Sequence, residues 1–172
     1  MGADPMRRIV LVRHAKAEPN GMNDHERPLS EAGRLEAPET GRWLAGAGVA
    51  PGLALVSTAR RARQTWESIV PELPAAPPTV FEDRVYEADA ADLLALVGET
   101  SEAVSVLLVL GHNPGVHEAA DALAGEADGD LLDRMDGSEF PNGSMAVLEF
   151  GGPWKGVEPG VARLVAFWAP GA

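Results

Sequence analysis

The chain has 172 residues, 45% of them hydrophobic, and a formal net charge of −12. That length suits one domain with a buried core spanning residues 1–172. The acidity argues against nucleic acid and anionic membrane as partners, because neither is drawn to a negatively charged chain.

There are no cysteines. Their absence excludes disulfides, thiolate catalysis and cysteine-based zinc sites, and fits a reducing, cytoplasmic setting. No apolar run approaches the ~20 residues of a membrane helix, and the leader lacks the apolar stretch of a signal peptide. Residues 1–6 read as a loose arm, or as a leader ahead of a start at Met6. A monomer is expected.

In chain order, residues 7–12 read as a strand and 17–29, with Pro19, Asn20, Gly21 and Pro28, as a loop. Ser30 is placed to cap a helix from 31 to about 46. Leu35, Trp43 and Leu44 should be its buried stripe, and Pro38 should kink or split it. Residues 53–57 read as a strand and 60–70 as a helix. Four prolines fill 71–78, a connection, and Thr79 to Phe81 form a short strand. Asp89 to Val97 carries leucines at helical spacing. Residues 104–110 are nearly all apolar, as a strand covered on both faces should be. Pro114 suits the first residue of a helix ending near Leu123. The acidic, glycine-rich stretch 125–143 reads as loop with one helical turn. Ser144–Phe150 and Val161–Trp168 read as an antiparallel pair. The alternation of strands and helices predicts an α/β sandwich with at least one antiparallel strand.

Three apolar runs end in a cation or an imidazole. Ile9–Val12 leads into Arg13-His14. Leu53–Val56 leads into Ser57 and then Arg60, Arg61 and Arg63. Val104–Leu110 leads into Gly111-His112-Asn113-Pro114. Ligands of open α/β sheets bind outside the carboxyl ends of parallel strands. If these strands are neighbours, two histidines and two arginines converge on one pocket suited to a phosphoryl group. A histidine attacks phosphorus only when its attacking nitrogen is unprotonated, and nearby arginines disfavour imidazolium. His14 is the candidate nucleophile, its other ring nitrogen donating to a backbone carbonyl. Arg13 and Arg61 would hold the equatorial oxygens through their planar forks, and His112 would add a donor. Singly, each has a plainer reading: a surface loop, a solvated helix face, a helix cap. Three coincident strand ends favour a site.

Leu11-Val12-Arg13-His14-Ala15 resembles the signature of the histidine phosphatase superfamily, which includes the cofactor-dependent phosphoglycerate mutases. Arg61-Ala62-Arg63-Gln64-Thr65 after Ser57 is similar to that family's second-arginine motif, and Gly111-His112-Asn113-Pro114 to its second-histidine motif. Arg27-Pro28-Leu29-Ser30 with Gly33, and the closing segment from Phe140-Pro141 through Trp154, resemble the small bacterial phosphohistidine phosphatase branch.

The resemblance implies a phosphoglycerate mutase-like three-layer α/β/α sandwich with a mostly parallel mixed sheet. It implies a transiently phosphorylated His14, a phosphate pocket of Arg13, Arg61 and His112, and neither metal nor cofactor. Asn113 stands where the acid-phosphatase branch has its proton-donating aspartate, so that route is excluded. Glu87 matches the place of the mutase-like branch's glutamate, and is either the proton donor or an exposed carboxylate before a helix. Lys16 and Arg27 either extend the basic rim and contact substrate or are ordinary surface cations. His25 and His117 lack a metal-site spacing and read as surface residues. The expected partner is a phosphorylated protein, with phosphohistidine as the substrate. The alternatives are a small phosphorylated metabolite and, less favoured, a phosphate-binding module without catalysis.

Overall fold

The computed structural model describes residues 5–19 and 23–171. Seven strands form one sheet: β1 (Met6–Arg13), β2 (Leu53–Ser57), β3 (Thr79–Glu82), β4 (Val106–Gly111), β5 (Ala124–Ala127), β6 (Met145–Gly151) and β7 (Ala162–Trp168). Their order is β3-β2-β4-β1-β6-β7-β5. Strand β6 pairs antiparallel with both β1 and β7, while every other pairing is parallel, so β6 alone is reversed.

Five helices cover the sheet: α1 (Glu31–Gly46), α2 (Arg60–Ile69), α3 (Ala90–Gly98), α4 (Gly115–Leu123) and α5 (Leu131–Gly137). Side chains alternate along a strand, and the alternation in β1 and β4 divides the core. Ile9, Leu11, Leu107 and Val109 face Leu93, Leu96, Val116, Ala120 and Met135 of α3, α4 and α5. Val10, Val12, Leu108 and Leu110 face Leu44, Ala62, Trp66 and Ile69 of α1 and α2. The result is the expected three-layer sandwich with a mostly parallel mixed sheet. Among the described residues, no helix is long and apolar enough to cross a membrane.

Local chemistry sets the boundaries. Ser30 caps α1 by accepting from the Gly33 N–H at 3.0 Å, and Asp89 and Asp92 form a reciprocal capping box at the start of α3. Pro38 does not split α1. The carbonyl it leaves unpaired belongs to exposed Arg34, where water can reach it. Leu35 is not part of the buried stripe: it is 72% exposed. The inward face is instead Gly33, Ala37, Thr40, Gly41 and Leu44. Close approach requires small residues there, since a Cβ on Gly33 would stand 2.0 Å from the Lys16 carbonyl oxygen. Helix α1 thereby presses directly on the segment that follows His14.

The stretch 125–143 is more ordered than its composition suggests. It holds most of edge strand β5 and two turns of helix in α5, with Met135 buried. Helix α4 starts at Gly115, with Pro114 as its cap rather than its first residue. Residues 1–4 of the expected arm, and Asn20 and Gly21 of the expected loop, lie outside the described residues. Met6 already belongs to β1, paired with Gly151.

Candidate active site

The sheet order places β2, β4 and β1 side by side and parallel, so the three suspect strand ends meet. Arg13 is registered opposite Gly111, and the His14 N–H donates to the Gly111 carbonyl at 3.1 Å. Arg13, His14, Lys16, Arg27, Arg61 and His112, with Asn113 and Asn142, line a cleft of about 370 Å³. A larger cleft of about 510 Å³, by Leu94 and Pro159, contains none of the residues singled out from the sequence.

The His14 ring is pinned. Its Nδ1–H donates to the Ala15 carbonyl at 2.6 Å, which leaves the lone pair on Nε2. Its backbone is held from two sides. The Ala15 N–H donates to Thr65 Oγ1 at 3.0 Å, and the Thr65 hydroxyl donates to the Arg61 carbonyl at 2.8 Å. From β6's leading turn, the Gly143 N–H and the Asn142 amide both donate to the His14 carbonyl.

Burial, more than the arginines, keeps the ring neutral. Desolvation is the largest cause lowering its pKa to about 3; His112 comes next, and Arg61 and Arg13 contribute less. His112 stands with its ring centroid 5.0 Å from that of His14, and burial lowers its pKa to about 4. Its Nε2 lies 2.7 Å from Ser57 Oγ, which also accepts the Ala59 N–H. A serine hydroxyl has one proton to give. Donating it to Nε2 satisfies both groups and puts the His112 proton on Nδ1, as an unpartnered buried donor.

The cations are held by backbone as much as by carboxylate. Arg13 Nη1 donates to the Phe140 carbonyl at 3.1 Å, and the Asn113 amide donates to the same oxygen at 3.0 Å. That carbonyl belongs to a pair of non-glycine residues in the left-handed region, Glu139 at φ 60° and Phe140 at φ 53°. This conformation costs roughly 1–2 kcal/mol per residue, offset here by two side-chain donors. Arg61 projects from the first turn of α2 and is buried. Its Nη1 donates to the Asp24 carbonyl at 2.7 Å and its Nη2 to Asp24 Oδ2 at 3.2 Å. Four buried side-chain atoms on cleft-lining residues have no partner among the described residues: Arg13 Nε, Arg61 Nε, His112 Nδ1 and Asn113 Oδ1. Three are donors. Unpaired buried donors are costly, so this concentration suits an anion with several acceptor oxygens.

Arg60 is exposed and does not line the cleft, which agrees with Arg61 as the pocket arginine. Lys16 is exposed on the rim. Arg27 reaches the rim through hydrogen bonds to Asp24 Oδ1 and the Glu18 carbonyl. Glu87 is exposed and does not line the cleft.

Its neighbour Tyr86 is the one engaged. The hydroxyl donates to Asp24 Oδ2 at 2.5 Å and the ring lies edge-on to His112. A Cβ on Gly115 would stand 2.1 Å from the Ala88 carbonyl oxygen, so this glycine lets α4 close on the segment carrying Tyr86. Nothing in the sequence assigns a role in the site to Tyr86, Asp24 or Thr65 individually. Only Thr65 carried a signal, as the last residue of the second-arginine motif.

The two histidines read as surface residues are each engaged. His25 Nε2 lies 3.0 Å from Thr58 Oγ1. His117 lies 2.8 Å from Asp136 and 3.4 Å from Asp121. These three offer ligand atoms within 4.8 Å of one another, away from the cleft. Burial and the Asp136 carboxyl raise the Asp121 pKa to about 6.

Residues 9–138 match the model of the histidine phosphatase superfamily, branch 1. An uncharacterized protein of Mycobacterium tuberculosis is 38% identical over 92% of this chain and 99% of its own length. Two solved structures are similar throughout, each described by its solvers as a candidate phosphohistidine phosphatase SixA. The one from Nakamurella multipartitia has a TM-score of 0.85 at 29% identity, covering 99% of this chain and 100% of that one. The one from Agrobacterium tumefaciens has a TM-score of 0.79 at 32% identity, covering 96% of this chain and 99% of that one.

Proposed function

The chain belongs to the histidine phosphatase superfamily and is accordingly a phosphatase; we propose that it works through a phosphohistidine formed on His14, and that its substrate is phosphohistidine on a protein. One observation carries the reading: a buried, neutral His14 whose Nδ1–H is committed to Ala15, so that only Nε2 can attack.

In the first step the Nε2 lone pair forms a bond to phosphorus as the bond to the leaving nitrogen breaks. The departing imidazole takes up a proton readily, so a strong acid is needed less than for an alkyl ester. Arg13 and Arg61 neutralise the equatorial oxygens of the metaphosphate-like transition state, and His112 donates from Nδ1. Water then attacks the phosphorus on His14, releasing phosphate and restoring the ring. For ester substrates the proton donor proposed is Glu87, from its match to the mutase-like branch's glutamate, although its exposed side chain lies outside the cleft lining. Lys16 and Arg27 would contact the group that carries the phosphoryl.

Two further features support a protein substrate. The cleft lies at the carboxyl ends of β1, β2 and β4, and the described residues form no separate lid domain over it, so it obtains little remote binding energy from a small molecule. It can still admit a projecting side chain. The two similar solved structures from Nakamurella multipartitia and Agrobacterium tumefaciens are described as candidate phosphohistidine phosphatases, and that description directs the choice of substrate.

Rapid quench with labelled phosphohistidine protein, followed by peptide mapping, tests the mechanism. The expected product is an acid-labile, base-stable label on His14, lost in His14→Ala together with nearly all turnover. Label on a serine, or full turnover without label, refutes it. A panel of small esters run beside the protein substrate tests the specificity. Submicromolar KM for one metabolite, with no action on phosphohistidine, would move the assignment to a small-ester phosphatase.

A further inference from the structure

We propose that Asp24 is a positioning residue for the phosphoryl-binding arginine: its carbonyl and carboxylate hold the terminal nitrogens of Arg61, setting the guanidinium in the orientation from which Nε and its remaining N–H groups meet the phosphoryl oxygens. The proposal rests on the phosphatase reading above.

Arginine offers five N–H donors in a rigid fork, and a fork that can rotate is a poor template for a transition state. In this chain two of Arg61's donors are taken by one residue, Asp24, through Nη1 to its carbonyl at 2.7 Å and Nη2 to its Oδ2 at 3.2 Å. Nε is left buried and unpaired. The same carboxylate accepts from Arg27 Nε at 3.0 Å through Oδ1, so a single acidic group orders both pocket-lining arginines outside β1.

The carboxylate is itself fixed. Tyr86 donates to Oδ2 at 2.5 Å, and its ring lies beneath the Arg61 guanidinium, 6.0 Å from centroid to Cζ. The turn that carries Asp24 is anchored next door by His25, which contacts Thr58 Oγ1 at 3.0 Å and packs edge-on against Tyr86. The Thr58 hydroxyl donates to Asp83 Oδ1 at 2.6 Å. The hydrogen bond from Tyr86, followed by those from the arginines, lowers the Asp24 pKa to about 2. The group is therefore anionic at neutral pH. It is a poor proton donor and a dependable anchor. Asp24 does not itself line the cleft, which separates this role from contact with substrate.

A double-mutant cycle between Asp24→Ala and Arg61→Ala tests the proposal. Its readouts are kcat and KM on p-nitrophenyl phosphate and the inhibition constant of orthovanadate. Asp24→Ala alone should lower kcat on the order of 10-fold and weaken vanadate, with KM changed less. Asp24→Asn keeps the shape and one acceptor oxygen but loses the charge and turns the other position into a donor, and should lie between it and the wild type. In the Arg61→Ala background, Asp24→Ala should change kcat less than about 2-fold, because the group it positions is already gone. Equal losses in both backgrounds would show a structural role and overturn the proposal. So would wild-type kcat in Asp24→Ala, or tighter vanadate binding, which would make Asp24 a competitor for the anion. A wild-type protein with neither turnover nor vanadate inhibition would instead refute the phosphatase reading, and so distinguishes the two failures.

Discussion

Strand β1 carries an arginine at each end, six residues apart and so on one face of the strand. At the amino end, Arg7 is buried and fully engaged. It donates to the Gly152 carbonyl, to the Glu102 and Val104 carbonyls and to the Glu102 carboxylate, and it packs over Trp154. At the carboxyl end, Arg13 has one backbone acceptor, a buried Nε with no partner, and a pKa lowered by burial. The same residue type on the same strand is completed by the fold in one place and left incomplete in the other. An arginine with every side-chain nitrogen engaged staples the structure. One kept short of acceptors is stable only with help from elsewhere, and is available to an anion.

The largest effect that could break this contrast is catalytic. Arg13→Ala and Arg61→Ala should each lower kcat on the order of 10²-fold, with smaller changes in KM. Their melting temperatures should be unchanged or slightly raised, since removing an incompletely paired buried cation relieves a cost. Arg61→Lys should recover little, because a point charge cannot replace the fork, and Arg60→Ala should be mild. Arg7→Ala should do the reverse. Losing its hydrogen bonds and packing should cost about 2–3 kcal/mol, a fall of roughly 5–10 °C in Tm, with kcat intact at temperatures where the protein is folded. A catalytic loss in Arg7→Ala, or a large stability loss in Arg13→Ala, would erase the distinction.

A smaller effect sharpens the contrast through pH. His14 and His112 have folded-state pKa values of about 3 and about 4, below the ordinary value near 6.5. Between those limits the unfolded chain binds protons that the folded one does not, so stability falls as pH falls below about 6.5. Each histidine should account for up to about 2 kcal/mol of the loss between pH 7 and pH 5. Urea unfolding at those two pH values should show a smaller gap for His14→Gln and His112→Gln than for the wild type. The lowered carboxylates titrate below this window; Asp121, raised to about 6, acts within it in the opposite direction, but equally in wild type and variants, so the difference between their gaps still reports the histidines. An unchanged gap would mean that the histidines are less shielded than their burial indicates.

The smallest effect expected is at Glu87. With the side chain exposed and outside the cleft, Glu87→Gln should alter turnover of phosphohistidine protein by less than about 3-fold. Its effect should be confined to alkyl esters, whose leaving groups need a proton. Equal losses on alkyl and phenolic esters would assign it a structural role instead.

The parts of the site legible in the sequence are those that directly follow an apolar run. His14, Arg61 and His112 sit just beyond β1, β2 and β4, so the strand signal located them. Asp24 and Tyr86 had no such marker. They meet across 62 residues, each from an irregular segment, and no spacing rule links two loops. The same limit explains β5. Ala124-Gly125-Glu126-Ala127 has no β-branched or aromatic residue, and it is a strand only because β7 offers it an edge. Leu35 misled for the opposite reason. Its hydrophobicity suggested an inward face, but α1 lies too close to the neighbouring backbone for a large side chain to enter.

The contacts that complete the cleft have a consequence for how the chain comes to possess it. Arg13 reaches Phe140 across 127 residues, Asn142 reaches the His14 carbonyl across 128, and His112 meets Ser57 across 55. Loop closure on that scale is an entropic cost met before the contact returns anything. His14 follows the first strand of the sheet, yet its surroundings are completed by segments more than a hundred residues further along the chain. The proposed chemistry at His14 therefore depends on the docking of β6 and its leading turn against β1, and until they dock the cleft is incomplete.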